Sequence, residues 1–348
     1  METNGDKKIK LAAVAYAAAL IVFAVIVFVA VLIYGFGVNN RLVKAVSRVV
    51  PYPAAIVDWE FISFSDLEND TEAVKNFYEK QDFSDLGLRV DFSTADGKKR
   101  LAVKRKNILS KLIENKLIEK EARKRGIILT EEMIDQEVER KLREWGSEEY
   151  VKNNMLNLYD WTMDDFKNKI VKPDIYRDKL FADIRETDQS FRAAREKIEK
   201  ARMELKDRQN FGEIAEKYSE GESAKNKGDL GWFNYGQMLP EISEAAGKLK
   251  KEEASEIIES PLGYHIITIE DKKTEDGQEK VKIRQIFVRT PNVGDWLSEK
   301  EKNAKISVPV KGLRWNGEIC EIEFVDQELK DFESDLINNS KDDISVLF

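Results

Sequence analysis

The stretch Ser260-Pro-Leu-Gly-Tyr-His-Ile-Ile267 decides the fold of the second half of this chain. Its apolar, β-rich end predicts a buried strand that carries His265, the only histidine in 348 residues. Because side chains alternate along a strand, His265 is expected to share a face with Ile267. The residues Glu275-Asp-Gly277 then predict a turn, after which residues 281–290 are a second strand candidate. The short turn between the two strands favours an antiparallel pair.

Three further blocks precede this stretch, and the four together resemble, in order and spacing, the parvulin family of peptidyl-prolyl cis-trans isomerases. The three blocks are Phe211-Gly-Glu-Ile-Ala-Glu-Lys-Tyr-Ser219, Lys227-Gly-Asp-Leu-Gly-Trp-Phe233 and Gly236-Gln-Met-Leu-Pro240. The resemblance implies a small antiparallel sheet with helices and a reaction on protein chains, with no cofactor. Prolyl isomerisation needs an apolar cup for the proline ring and a dry polar floor that favours the twisted amide over the planar one.

The resemblance also implies which residues form that site. His265 matches the family's second histidine and Ser260 matches its hydroxyl position, whereas Gly221 stands where the family has Cys or Asp. The positions that match the apolar cup are Leu230, Met238 and Ile242. The last of these departs from the family, which prefers Phe there.

The family's first strand, which carries the other histidine, has no counterpart before residue 211. The sequence Arg284-Gln-Ile-Phe-Val288 resembles it but follows the His265 strand. We therefore expect residues 281–290 to complete the sheet in that slot, with Gln285 in place of the first histidine and Phe287 on the substrate side. Glutamine can form hydrogen bonds but cannot titrate as histidine does. The catalytic set His265, Gln285 and Ser260 thus predicts a weakened isomerase, and the alternative is a purely structural His265.

Residues 11–36 form an apolar run that predicts a transmembrane anchor. A helix of about 25 residues is about 37 Å long, enough to cross a hydrocarbon core of about 30 Å. A cleaved signal peptide and a buried core helix are the alternatives, but the run is long for the first and this polar chain offers little to enclose the second. Because basic residues flank the run on both sides, charge leaves the orientation open. The functional interpretation requires one pass of residues 11–35 through a bacterial cytoplasmic membrane, with the soluble part on the extracytoplasmic side.

Composition excludes several other classes of function. A formal net charge of −8 gives no basic footprint for nucleic acid. With Cys320 as the single cysteine, no intrachain disulfide and no Cys/His metal cluster can form. The acidic residues show no spacing that singles out a metal site, and a charged fraction of 35% indicates long solvated helices instead.

Residues 54–182 predict a largely helical module. The sequence Leu112-Ile-Glu-Asn-Lys-Leu-Ile-Glu-Lys-Glu-Ala122, with Gly126 at a helix C-cap and Thr130 as the next N-cap, resembles the N-terminal chaperone domain of SurA-type proteins. An ordinary amphipathic helical bundle is the alternative. A third helix is predicted to begin at Thr162-Met-Asp-Asp165 and to end near Pro173.

Other local signals complete the expected α+β organisation. The predicted elements are a strand or hairpin over 54–64, a turn at Ala95-Asp-Gly97 in an irregular segment 82–99, a long charged helix over 185–207, a tight hairpin turn at Asn316-Gly317 between 306–315 and 318–324, and a helix over 326–338. The expected domains are a tail 1–10, an anchor 11–36, a linker 37–53, a peptide-binding module 54–182, an isomerase-like domain 183–290 and a C-terminal segment 291–348 that packs on the module.

The leading hypothesis is a membrane-anchored foldase similar to the PrsA/SurA group. Its partners would be unfolded or extended polypeptides and their X-Pro segments, held by shallow apolar surface with broad specificity. A second hypothesis is a pure binding module that uses a degenerate isomerase fold as a platform. A third is a membrane tether with a coiled-coil middle, although Gly126, Gly146 and Pro173 interrupt any heptads.

Overall fold

A computed structural model describes residues 4–81, 91–205, 210–275 and 277–339. The chain divides into two compact units, a first unit of Met1–Asp178 with Ser298–Phe348 and a second unit of Lys179–Leu297. Both combine helices with small antiparallel sheets, so the predicted α+β class is confirmed.

The first unit begins with an apolar helix, a hairpin and a layer of helices. Its elements up to the second unit are α1 Asn4–Ala30, α2 Arg41–Ser47, β1 Pro53–Val57, β2 Glu60–Ser63, α3 Phe64–Lys80, α4 Ala95–Lys124, α5 Glu131–Glu144, α6 Glu148–Val151, α7 Asn157–Tyr159, α8 Met163–Phe166 and the first part of α9 Lys172–Thr187, whose residues from Lys179 belong to the second unit. Single π-helical turns follow α1 at Val31–Phe36, α6 at Lys152–Leu156 and α8 at Lys167–Val171. The hairpin β1–β2 confirms the prediction over 54–64.

The second unit is a four-stranded antiparallel sheet covered by helices on both faces. Its elements are α10 Gln189–Glu204, α11 Phe211–Tyr218, β3 Asp229–Asn234, α12 Pro240–Lys248, β4 Ile258–Ser260, β5 Gly263–Glu275 and β6 Gln278–Arg289. The strand order is β3-β6-β5-β4. On one face Ile266 and Ile286 pack against α10 and α11, and on the other Ile267 and Ile283 pack against α12. The central strands are therefore buried on both sides.

The chain then returns to the first unit. This last part contains α13 Val293–Asn303, which belongs to the first unit from Ser298 onward, β7 Ile306–Ser307, β8 Leu313–Asn316, β9 Glu321–Phe324 and α14 Gln327–Asn339. Strand β7 pairs antiparallel with β1, and residues of β8 and β9 join the same hydrophobic core as α1, the hairpin and α4. This core includes Val29 and Ile33 of the apolar segment, which are 0% and 1% exposed.

The turn predicted at Ala95-Asp-Gly97 is wrong, because these residues form the first turn of α4. Thr94 caps the helix by accepting a hydrogen bond from the Gly97 N–H at 3.0 Å. A Cβ at position 97 would lie 2.0 Å from the Asp91 carbonyl oxygen, so glycine serves a close approach here and not a turn. The rest of the predicted irregular segment, residues 82–90, lies outside the described residues.

Two predicted helix boundaries are also wrong. The helix that begins at Thr162 has the predicted capping box, but it continues past Pro173 into α9. The π-helical turn Lys167–Val171 lies directly before this region, and its altered hydrogen-bond pattern lets the helix continue past a residue that has no N–H to donate. The predicted helix 185–207 is instead split at Asp188, whose carboxylate caps α10 by accepting from Ser190 N at 2.9 Å. Residues 206–209 lie outside the described residues.

The Asn316-Gly317 pair does not form the predicted two-residue turn. Strands β8 and β9 are joined by the four residues 317–320. The Asn316 side chain accepts from the Glu318 N–H at 3.0 Å and donates to Glu323 at 2.6 Å, so it bridges the ends of a wider loop. Cys320 adopts the left-handed conformation, with φ of 56°.

Candidate functional site

The strands β5 and β6 bring the predicted polar groups of the second unit together. Their register pairs His265 with Phe287 and Ile267 with Gln285, and the predicted antiparallel pairing is confirmed. Since residues two apart share a face, His265, Gln285 and Phe287 lie on the side of the sheet that packs against α12. This side carries the cluster of Ile267, Ile269, Ile242 and Ala246.

A tight turn delivers Ser260 to the histidine ring. Ser260 and Gly263 pair as the ends of β4 and β5, and the Ser260 Oγ lies 2.7 Å from His265 Nε2. Gly263 has a φ of 147°, and a Cβ there would lie 2.2 Å from the Val288 carbonyl oxygen. Only glycine allows β5 to start this close to β6. The glycine of the quoted stretch therefore fixes the distance between hydroxyl and imidazole.

The hydrogen bonds of Ser260 indicate which ring nitrogen carries the proton. Its Oγ accepts from the Leu262 N–H at 3.1 Å and can donate to the Gly263 carbonyl at 3.3 Å. All three contacts of the hydroxyl are satisfied if Nε2 is the protonated nitrogen and donates to Oγ. His265 Nδ1 then carries the lone pair; it has no hydrogen bond of ordinary length among the described residues, although the Gln285 side chain lies close enough to act on the ring.

The environment keeps the imidazole neutral near pH 7. His265 is 3% exposed, and this burial lowers its pKa below the ordinary value of 6.5. The Gln285 side chain and the Glu241 carboxylate act in the opposite direction. A neutral, fixed imidazole can orient or polarise an amide, but it supplies no positive charge.

The Phe287 ring connects the histidine to the position of Gly221. It stacks on His265 with ring centroids 4.8 Å apart and an interplanar angle of 29°. A Cβ at Gly221 would lie 3.7 Å from the Phe287 ring, an ordinary contact distance, and the φ of −75° at this position suits any residue. The structure thus has room for the Cys or Asp side chain that this chain lacks.

The three cup residues fall in different environments. Ile242 is 6% exposed and belongs to the core cluster on the α12 face, and Met238 packs against that cluster. Leu230 is 37% exposed and lies at a bulge in β3, between the residues that pair with Arg284 and Ile283 of β6. One constellation therefore contains His265, Ser260, Gln285 and Phe287. Met238 and Ile242 lie on the same side of the sheet as this constellation, whereas Leu230 lies outside it.

Sequence reasoning missed Glu241. This residue is in the first turn of α12, its carboxylate acts on His265, and its Oε2 is buried without a hydrogen-bond partner among the described residues. An acidic residue in the first turn of a helix is common for dipole reasons alone, so its position in the sequence carried no functional signal.

The first unit contains a separate cavity of about 880 Å³, within the usual range of ligand-binding sites. It lies among β2, α3, α4 and the helices from α5 to α9. Its large apolar lining residues are Phe61, Ile108, Leu112, Leu129, Ile134, Trp145, Leu156, Tyr159, Trp161, Phe166 and Tyr176. We call it the apolar groove. Acidic and basic residues, among them Asp70 and Lys169, which form an ion pair, lie on its lining.

The described residues contain no group of three His, Cys, Asp or Glu that could hold a metal ion.

Comparison with known proteins assigns a class to each unit. The PPIC-type PPIASE domain family matches residues 180–271, and the SurA-like N-terminal domain family matches residues 11–181. The second unit is thus a parvulin-type peptidyl-prolyl isomerase domain. Strand β6, with Gln285 and Phe287, lies beyond the end of that match.

Individual relatives agree with this class. The Foldase protein PrsA of Geobacillus kaustophilus is 31% identical over 224 residues, which cover 58% of this chain and 74% of the relative. The chain belongs to the PrsA foldase family. Foldase protein PrsA 1 of Bacillus cereus is 37% identical over 33% of this chain and 43% of its own length. Chaperone SurA of Methylobacillus flagellatus is 34% identical over 32% of this chain and 27% of its own length.

Proposed function

We propose that this foldase is held in a bacterial cytoplasmic membrane by residues 11–35 and acts outside it on unfolded chains. The first unit binds extended segments, and the second isomerises X-Pro bonds at a rate below that of complete parvulin sites. The observation that carries the catalytic part is the buried pair of Ser260 Oγ and His265 Nε2 at 2.7 Å.

The reduced rate follows from what surrounds that pair. Isomerisation is accelerated by groups that bind the twisted amide better than the planar one. Gln285, an uncharged amide, takes the place of the family's first histidine, and Gly221 offers no side chain where the family has Cys or Asp. The Glu241 carboxylate is the only acidic group whose charge acts on His265 among the described residues.

The apolar groove supports client binding in the first unit. Aromatic and aliphatic side chains line it, some of them partly exposed such as Phe61 and Leu112, with charged residues between them, which suits a polypeptide whose side chains vary. Binding through apolar surface gives low affinity per area and broad specificity. The client class is therefore any extended segment with scattered apolar side chains.

The core of the first unit supports retention of the apolar helix. Residues Ala13–Phe36 are long and apolar enough to cross a membrane. Val29 and Ile33 are fully buried in the same core as Leu109 and Ile113 of α4. Cleavage after the apolar run would remove part of that core, which argues against a signal peptide.

The test is a prolyl isomerisation assay of the full chain in detergent micelles with a short X-Pro peptide. We expect wild type to accelerate the reaction, His265→Ala to return it to the uncatalysed rate, and Gln285→His to raise kcat/KM by about tenfold, or about 1.4 kcal/mol. Thr274→Ala, on the exposed end of β5, is the matched control and should match wild type. Turnover that His265→Ala leaves unchanged would show that the site is wrongly assigned.

A holdase without catalysis is the second candidate, favoured by Gln285 and Gly221 at two positions of the site. The same preparation distinguishes the two functions if suppression of client aggregation is measured beside isomerisation. A pure holdase suppresses aggregation, shows the uncatalysed isomerisation rate, and is not improved by Gln285→His.

A further inference from the structure

We propose that the end of the first unit formed by α2, which we call its base, lies in the headgroup region of the membrane that the apolar helix crosses. The partner is an anionic phospholipid surface. The contact surface, which we call the basal stripe, comprises α2 and the following Arg48 and Val49. The inference rests on the membrane anchoring proposed above.

The apolar helix does not leave the first unit as a free tether. Ile26, Val29, Ala30, Leu32, Ile33 and Tyr34 all pack in or against the core of that unit. The Tyr52 hydroxyl donates to the Ile26 carbonyl at 2.8 Å, and the Tyr34 hydroxyl donates to the Pro53 carbonyl at 3.0 Å. The residues from 26 to 36 are therefore held along the folded unit.

Helix length then decides where the unit lies. The part of the apolar run before Ile26, residues 11–25, spans only about 22 Å at 1.5 Å per residue, whereas a hydrocarbon core is about 30 Å thick. The docked residues must supply the remaining length of the span. Because those residues are in contact with the first unit, crossing the membrane draws the base of that unit into the interface.

Helix α2 occupies that base. It packs against α1, so it lies beside the helix before the π-helical turn and not beyond its end. Val43 and Ser47 face the core, whereas Leu42, Ala45 and Val49 face outward, with Leu42 46% and Val49 83% exposed. A spacing of three and four residues places these outward apolar residues on one side of the segment.

The charges on the basal stripe complement an anionic surface. Arg41 and Arg48 are exposed, and neither forms an ion pair within the described residues. Lys44 is partly neutralised by Glu72 at 3.4 Å. Lys311 adds a further exposed cation, 5.9 Å from the centroid of the Phe36 ring at the end of the apolar segment. Basic residues next to a bilayer are attracted to its anionic lipids.

The contact is with a lipid surface and not with one bound headgroup. A hollow beside Lys44, Ser47 and Arg48 has a volume of only about 20 Å³, which is room for about one water. The buried Ser47 Oγ, which has no hydrogen-bond partner among the described residues, borders this hollow.

Site-directed spin labelling of the full chain tests the proposal. Single cysteines replace Leu20, Leu42, Val49 or Ile128 in a Cys320→Ser background, and each protein is reconstituted in vesicles of phosphatidylcholine with or without phosphatidylglycerol. Accessibility to oxygen relative to a polar nickel chelate reports immersion in lipid. Ile128, 76% exposed in the first unit, is the aqueous control.

We expect labels at 42 and 49 to favour oxygen several-fold over the label at 128. Replacing both Arg41 and Arg48 by Glu should remove this preference in the anionic vesicles. Aqueous labels at 42 and 49 with a lipid-exposed label at 20 overturn the basal stripe but leave the anchor. An aqueous label at 20 overturns the anchor itself. Spin–spin coupling between copies at 42 or 49 would assign the stripe to a second copy of the chain and overturn the proposal.

Discussion

The two units differ in how accessible their candidate sites are. The apolar groove of the first unit, about 880 Å³, presents many apolar side chains, whereas His265 of the second unit is 3% exposed and depends on a few fixed neighbours. Binding through apolar surface tolerates exchange of one side chain for another of similar volume. Stabilisation of a twisted amide depends on individual polar groups held in place. If the groove binds clients and His265 acts on X-Pro bonds, single substitutions should therefore affect the second site more sharply than the first.

The largest expected effect separates the two sites. Leu112→Glu places a carboxylate on the apolar lining of the groove, where it loses apolar contact and resists desolvation. Client affinity, measured by fluorescence anisotropy of a labelled unfolded polypeptide, should fall at least about tenfold, or about 1.4 kcal/mol. Isomerisation of a short X-Pro peptide should not change.

Leu112→Met is the matched control, because it conserves volume and apolar character. It should bind clients as wild type does. A parallel loss of peptide isomerisation in Leu112→Glu would contradict the separation of holding from catalysis.

Much of the second unit could be predicted from the sequence because its signals are local. The alternating strand, the Glu275–Gly277 turn and the serine–glycine spacing of the 260–267 stretch fix the β4–β5–β6 register and, with it, the approach of Ser260 to His265. Glu241 could not be predicted, since its approach to His265 depends on how α12 packs across the sheet.

The first unit was harder to predict because its features depend on distant contacts. Pro173 looks like a helix end in sequence, but the preceding π-helical turn lets the helix continue. The apolar helix carries a clear membrane signal, yet nothing in that run shows that Val29 and Ile33 are buried in a protein core. The groove likewise arises from the packing of several helices and has no motif of its own.

A smaller effect concerns Trp59 at the tip of the β1–β2 hairpin, which contributes Phe61 to the groove. Asp58 and Trp59 have φ of 45° and 78°, and the Trp59 side chain is 90% exposed. A left-handed conformation costs a non-glycine residue about 1 kcal/mol. An exposed ring makes few packing contacts within the protein that could offset this cost. If the ring contacts clients, its removal should weaken their binding.

Trp59→Gly should therefore raise the free energy of unfolding by about 1 kcal/mol while it weakens client binding. Trp59→Ala is the matched comparison, since it removes the ring but keeps the strained backbone. It should weaken binding equally without the gain in stability, as measured by denaturant unfolding. Unchanged client binding in both variants would remove Trp59 from the binding surface of the first unit.

The smallest effect tests how closed the second site is. Because burial lowers the pKa of His265 below 6.5, the unfolded chain binds a proton more readily than the folded chain between pH 6.5 and that lower value. The stability of the second unit should thus be complete above pH 6.5 and should fall as the pH drops toward the folded pKa. Carboxylates such as Glu220 and Glu270, whose pKa values lie below 4.5, lose their contributions to stability only at lower pH.

As the single histidine of the chain, His265 gives one imidazole signal in NMR if the protein is purified without a histidine tag. A titration midpoint below 6.5, with a stability loss in this window that His265→Gln abolishes, would support a closed site. A midpoint at or above 6.5 would mean that water reaches the ring, and the contrast in accessibility between the two units would no longer hold.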